Sequence, residues 1–349
     1  MRTPTSKIIL QADETFSRHS EASMVELKDG SLFLAWSKFA GNHDNSKSHI
    51  ACTRSTDGAH TWSDERPLIE NTAGLNVMSP AIRRLKDGSL GLVYNYRNSV
   101  SQACRQFCRS LDEGQTWSTP VRIAVGAYKT GGHDRLTVLS SGRIIAPLHC
   151  TDDWDTHYLY LQVAWSDDLG QTWQLSEPLT LPKTDKAESG AQEPDVVERA
   201  DGSLLMVMRT AMGTIYRAES FDQGETWINL RSLEVTAPVA PCIIRRIPGT
   251  DDLLLVWNWI YDPQDPMGGK RRRLTCAISR DGGETWPTES RHILEGSDPD
   301  SDFFSYPGCT FYENQFILTY YHMRSDVNFN FDGARSLKIM YIPIEWMYR

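Results

Sequence analysis

Apolar and polar positions along this chain fall into a recurring unit: an apolar strand, a tight polar turn and a second apolar strand. The unit reads "MVELKDGSLFLAW" at 24–36, "IRRLKDGSLGLVY" at 82–94, "LTVLSSGRIIAPL" at 136–148 and "VVERADGSLLMVM" at 196–208. Looser copies follow at "IRRIPGTDDLLLVW" (244–257) and "FYENQFILTYY" (311–321). Asp-Gly between β-rich runs predicts a hairpin, because a type I′ turn needs positive φ at its central residues. Six hairpins therefore recur about every fifty to sixty residues, the length of one four-stranded sheet in a repeat array.

A third strand follows each hairpin, as in "HIACTRS" (49–55), "QFCRS" (106–110) and "YLQVAWS" (160–166). Five of these lead into a Trp phrase: "STDGAHTWS" (55–63), "SLDEGQTWS" (110–118), "SDDLGQTWQ" (166–174), "SFDQGETWI" (220–228) and "SRDGGETWP" (279–287). Asp accepts hydrogen bonds from turn amides, Gly supplies a left-handed conformation, and Trp is an apolar plug between layers. The phrase is thus scaffold rather than chemistry. After the sixth hairpin, "SLKIMYIPIEW" (336–346) is expected to close the array by pairing with the N-terminal "KIILQA" (7–12), which removes exposed sheet edges. The expectation is one all-β domain over residues 1–349, a six-bladed β-propeller.

Five Asp-box phrases on six blades resemble the sialidase (neuraminidase) superfamily of BNR-repeat proteins. The resemblance covers essentially the whole chain and implies a sialidase-type propeller. It speaks strongly for the fold and weakly for the activity, because functions are grafted on folds.

Hairpin register locates a site independently. Residues eight before each turn are Glu21, Ser79, His133, Glu193, one near Pro241, and Tyr306. Residues seven after it are Ser37, Asn95, His149, Arg209, Asn258 and His322. Both sets reach the same open end of the array, where strand interiors would normally supply Val or Ile. Two polar rings in matching register predict one ionisable pocket.

The resemblance then suggests roles. Glu193 and Arg209 have the spacing of a catalytic Glu and a carboxylate-binding Arg, and Tyr306 that of a nucleophilic Tyr, although "YP" replaces "YS". Asp44, in "SKFAGNHDNSKSH", stands where sialidases carry the acid/base Asp, and Arg271 best matches another substrate arginine among 271–273. A neutral Tyr activated by Glu suits a sugar whose carboxylate would repel a carboxylate nucleophile. An acid on Asp44 would need a pKa raised by burial. In "SRHSEAS" (17–23), Ser20 stands near the slot of the first sialidase arginine, with Arg18 the possible substitute and Glu21 facing the ring. "GGHDR" (131–135) adds His133 and Arg135, which a plain sialidase does not need.

Three functions follow. The first is a sialidase-like exo-acting glycoside hydrolase removing a terminal, acidic sugar, with Asp44, Glu193, Tyr306 and His133 in catalysis. Arg18, Glu21, Asn95, Arg135, His149, Arg209, Asn258, Arg271 and His322 would bind the carbohydrate. The second is a uronate lyase, with His133, His149 or Tyr306 as base and Arg209 or Arg135 neutralising the carboxylate. The third is a non-catalytic glycan-binding propeller, its sugars stacked on rim aromatics such as Trp154, Trp259, Tyr261, Phe303 or Phe304.

Composition narrows the partners. A net charge of -9 argues against a nucleic acid, which needs a basic surface. No apolar run is long enough for a membrane span and no signal peptide is evident, so a cytoplasmic location is expected. Seven cysteines read as reduced thiols rather than a disulfide framework. Neither Cys104 and Cys108 nor the nine histidines have metal-site spacing, so no metal or cofactor is expected.

Overall fold

Each expected hairpin forms, its two apolar runs pairing antiparallel across the polar turn. The computed structural model of the chain describes residues 3–156, 158–182, 189–265, 267–298, 301–325 and 333–349. Among these, hydrogen bonds gather the strands into five sheets. Three contain four consecutive strands each, running from Arg18–Glu26 to Arg66–Ile69, from Gln192–Glu198 to Ile228–Thr236, and from Ile243–Arg246 to His292–Glu295. A fourth combines Phe303–Tyr312, Gln315–Met323 and Ser336–Pro343 with Thr5–Leu10. Its N-terminal strand pairs with Ser336–Pro343, the closing contact expected from the sequence.

The fifth sheet holds nine strands because the second and third hairpins share it. A short strand, Tyr128–Thr130, joins them, running parallel to Ala103–Ser110 and antiparallel to Ile144–Thr151. No alternating pattern announces this strand; three residues are too few for a period.

Six larger apolar clusters fill the spaces between successive hairpin modules. Val25, Ile50, Ile82 and Leu92 belong to the first, and Phe107, Ile144 and Leu148 to the second. Ile145, Met206 and Trp165 fill the third, Val207, Ile244 and Leu255 the fourth, and Leu254, Phe316 and Tyr320 the fifth. The sixth packs Met24 and Trp36 against Ile317 and Ile339, joining the last module back to the first. Each module is covered on both faces, so no sheet leaves an apolar side in water. No helix among the described residues is long and apolar enough to cross a membrane. All seven cysteines are free and buried.

The five Trp phrases share one hydrogen-bond pattern. In the third, Ser166 Oγ donates to Asp168 at 2.8 Å and accepts from the Gly170 amide at 2.9 Å. Asp168 also accepts from the Thr172 amide (2.9 Å) and hydroxyl (2.5 Å). The same contacts recur around Asp57, Asp112, Asp222 and Asp281. Gly170 needs to be glycine twice over: its φ is +86°, and a Cβ would fall 2.1 Å from the Phe107 ring. The phrase is a self-contained turn that pins each third strand to its fourth.

At the centre of the array the modules meet on Asp134. Its carboxylate accepts from Ser23 (2.6 Å) and Arg83 (2.7 Å) on one oxygen. The other oxygen accepts from the Cys309 amide (2.9 Å) and Arg245 (2.7 Å). Arg245 also bonds Asp195 at 2.6 Å, which brings in the fourth module. Asp134 is fully buried, and these cations hold its carboxyl well below the usual range despite burial.

Candidate active site

In four of the six hairpins the first strand does not run straight into the site. Register shifts interrupt pairing between Ser20 and Ser23, Met78 and Ala81, Gln192 and Asp195, and Ser305 and Gly308. Inside each break one residue takes left-handed φ: Glu21 (59°), Ser79 (57°), Glu193 (45°) and Tyr306 (59°). Non-glycine residues seldom adopt this conformation, and a bulge re-aims the side chain it carries. These four bulged residues all line one cavity of about 470 Å³. In the third module the left-handed residue is Asp134 (φ 55°) instead of His133, which sends the carboxylate to the axis and the imidazole elsewhere.

Asp44, Asn95, His149, Arg209 and Arg271 also line the cavity. Glu193 pairs with Arg209 at 2.8 Å. Burial alone would raise the Glu193 carboxyl, but Arg209 and neighbouring groups carry it down to about 2. Burial, then the charge of Glu193, push the Tyr306 phenol well above its ordinary value. The Arg271 guanidinium stands 5.3 Å from the centre of the Tyr306 ring. Arg272 packs on Phe303 instead.

Asp44 does not meet the expectation of a raised pKa. Burial raises its carboxyl, but the ion pair with Arg18 outweighs this and leaves it well below the usual range. Arg18 is itself buried behind the cavity wall, gripping Glu21 at 2.7 Å on its other side. Glu21 in turn accepts from Ser37 (2.9 Å) and Ser79 (3.0 Å), yet burial keeps its pKa raised. One guanidinium therefore holds two carboxylates of opposite tendency.

Besides Arg18, four of the expected site residues stand off the wall. His133 is buried, its Nε2 3.1 Å from the carbonyl oxygens of both Tyr306 and Pro307 and its ring stacked on Tyr306 at 5.5 Å. Arg135 donates to backbone carbonyls, among them Cys242 at 2.6 Å. Asn258 ties Arg272 and Phe304 carbonyls together, and His322 pairs with Asp302 at 2.6 Å. Of the rim aromatics only Trp154 reaches the cavity, beside Tyr128 at a ring separation of 4.6 Å. Trp259 and Phe304 pack against Arg291 and His322 instead.

Sequence reasoning missed Arg97, which lines the cavity and anchors the Asp44 loop. It donates to the Asp44 carbonyl at 2.6 Å and to Asn45 Oδ1 at 2.8 Å. Asn76 adds two more bonds, to the Asp44 and Ser46 carbonyls. The available signal was an arginine two residues past Asn95, on the same strand face. A larger hollow of about 690 Å³ lies at the hairpin-turn end. Among its arginines, Arg83 and Arg245 are paired with Asp134 and Asp195, and the expected ring residues line the smaller cavity instead.

Burial holds the His133 and His149 imidazoles down, to about 3 and about 4. Both are neutral in the folded chain at pH 7, while the unfolded chain titrates near 6.5. Below that value the unfolded state takes up protons that the folded state refuses, so stability falls with falling pH. Each histidine contributes a slope of about 1.4 kcal/mol per pH unit until its folded pKa is reached. Urea midpoints are expected to hold from pH 8 to 7 and to drop steadily from pH 6.5 to 4.5. A flat profile across that lower range would contradict the buried, neutral imidazoles.

Residues 23–323 match the BNR repeat-like domain family. The chain belongs to that family. Among curated relatives, a sialidase of Bacteroides fragilis is 26% identical over 279 residues, covering 70% of this chain and 49% of its own length. A sialidase of Paraclostridium sordellii is 27% identical over 236 residues, 59% of this chain and 56% of the relative. The chain thus spans about half the length of these curated relatives. In fold, this BNR-family chain is similar to a Dyadobacter fermentans protein of unknown function. Their TM-score is 0.76 at 18% identity, covering 98% of this chain and all of the other. The NanB sialidase of Streptococcus pneumoniae, as its K499G mutant, also reaches 0.76, at 14% identity over 97% of this chain and 70% of that one. The BNR-family chain shares the all-β sialidase-like fold.

Proposed function

We propose that this BNR-family protein is a sialidase-like exo-acting glycoside hydrolase that removes a terminal acidic sugar, built as one six-bladed propeller. The observation that carries the reading is the meeting of Tyr306, Glu193, Arg209, Arg271 and Asp44 on one cavity wall. The six inter-module clusters, the last joining the end of the array to its start, support the ring. In the reaction, the Tyr306 oxygen attacks the anomeric carbon as Glu193 takes the phenolic proton. Asp44 protonates the departing glycosidic oxygen. Water then cleaves the sugar–tyrosine bond with Asp44 as base, releasing the free sugar and restoring the phenol.

The resting ion pairs give the substrate's negative charge a part in this scheme. Glu193 paired with Arg209 is a weak base, and Asp44 paired with Arg18 is ionised, not a proton donor. A sugar carboxylate that draws on Arg209 weakens its pair with Glu193 and raises the basicity of Glu193, and its negative charge near Asp44 favours the protonated form of that carboxyl. Elimination loses His133, one of its candidate bases, which is turned away beneath Tyr306, but keeps His149, Tyr306 and Arg209 on the wall, so the products decide between the two.

Defined acidic oligosaccharides, digested and read by mass spectrometry and ultraviolet absorbance, test the reading. The expected products have taken up one water and lack a new chromophore. An ultraviolet-absorbing unsaturated sugar would replace hydrolysis by elimination. Binding with no conversion of any substrate would leave a glycan-binding protein.

A further inference from the structure

Two arginines lie one layer behind the cavity floor with an unusual set of partners. Arg105 and Arg135 are both fully buried. Arg105 donates to Asn95 Oδ1 (3.1 Å) and to the carbonyls of Gly132 (2.9 Å) and Arg135 (3.4 Å). Arg135 donates to the carbonyls of His133 (2.8 Å), Pro307 (3.4 Å) and Cys242 (2.6 Å). Every acceptor is neutral, and the Nε of each guanidinium has no hydrogen-bond partner. Among the described residues neither arginine makes an ion pair, whereas Arg18, Arg83, Arg209 and Arg245 all do.

Such a pair is expensive to keep. A buried charge is ordinarily matched by an opposite one, and leaving it unmatched is strongly destabilising. Burial and the neighbouring Arg135 pull Arg105 down to about 9, so it remains charged at neutral pH. The approach to the cavity is also built in. Gly131 lines the wall, and a Cβ there would fall 2.8 Å from Arg105 Nη1. A Cβ on Gly132 would lie 3.2 Å from Arg135 Cγ and 3.4 Å from Glu193 Cβ, so Arg135 and the wall residue Glu193 approach each other across this glycine. Glycines let both charges stand close behind the floor, in a chain whose net charge is -9.

We propose that Arg105 and Arg135 are specificity-determining residues: unmatched guanidiniums behind the cavity floor select a ligand that carries a negative charge. They do so without touching it, by holding a positive potential at low dielectric where water cannot screen it. The inference deepens the hydrolase reading and rests on the same cavity, but it concerns binding rather than turnover.

The test is the acid-to-neutral preference in equilibrium binding. The probes are N-acetylneuraminic acid against its methyl ester, and glucuronic acid against glucose, measured by calorimetry. The wild-type protein is expected to bind an acid at least about tenfold more tightly than its neutral partner, about 1.4 kcal/mol. Arg105→Gln and Arg135→Gln should each lower that preference about threefold or more, with Arg209 and Arg271 on the wall keeping the remainder, while leaving affinity for the neutral sugar within about twofold. Arg105→Lys should retain it. If one Gln variant does not fold, the other, at the second arginine, decides. The proposal is overturned by a wild-type protein with no preference, by a preference undiminished in both Gln variants, or by equal losses for acid and neutral probes. Failure of hydrolysis leaves this readout intact, so the two ideas fall separately.

Discussion

Replacing Tyr306 by Phe is expected to lower kcat by roughly 10^3-fold or more, with no change in fold, because the attacking oxygen is gone. The phenyl ring that remains keeps the packing of the native side chain. His133 stacks on it from one side at 5.5 Å and Tyr321 lies 5.7 Å away on another. The Tyr306 and Pro307 carbonyls still meet the His133 ring nitrogen, since the backbone is untouched. Loss of the hydroxyl also removes a phenol that burial and Glu193 hold protonated, so thermal stability should stay level or rise slightly. Initial rates on an oligosaccharide cleaved by the wild-type protein, with a melting curve of each sample, decide the matter. A Phe variant that turns over at the native rate removes Tyr306 from the mechanism. A variant that loses activity and structure together leaves only a packing role.

The second large effect is on stability. Asp134→Ala is expected to destabilise the fold by about 3 kcal/mol or more, because Arg83 loses its ion-pair partner and Arg245 keeps only Asp195. Arg83 and Arg245 both reach this carboxylate, and Ser23 and the Cys309 amide fill its remaining acceptor positions. The residue is also left-handed, which Asn tolerates better than Ala. Asp134→Asn therefore separates charge from conformation, and most of the loss should persist in it. Urea unfolding of the three proteins at pH 7 measures both. Should the Asn and Ala variants each unfold within about 0.5 kcal/mol of wild type, a range typical of surface changes, the Asp134 ion cluster would not be what joins the modules.

Much of the scaffold was legible because its signals are local. Asp-Gly turns, alternating apolar runs and the Ser-x-Asp phrase each specify structure within about ten residues, and all are found where the pattern put them. The bulged residues Glu21, Ser79, Glu193 and Tyr306 were also reachable, since counting from the turn gives their register. Their left-handed backbone was not, as none is Gly or Asn, the residues that usually announce it. His133 shows the limit of counting. It occupies the same register as Glu21, but a different break in the strand gives Asp134 the inward turn. Arg97, Arg105 and Tyr128 depend on which modules abut, and nothing in a single repeat reports that. Arg105 sits opposite Asn95 across the sheet, so extending the register argument to the next strand would have found it.

The sheet sewn from both extremities has a consequence for biosynthesis. Thr5–Leu10 emerges from the ribosome early, yet its partner, Ser336–Pro343, is made more than three hundred residues later. Until then Met24 and Trp36 lack the neighbours that cover them in the finished molecule. The nascent chain must carry that open flank throughout translation, a period in which unpaired strands invite aggregation. Chaperone demand during synthesis should therefore track the delay before the last strand appears rather than the stability of the completed protein.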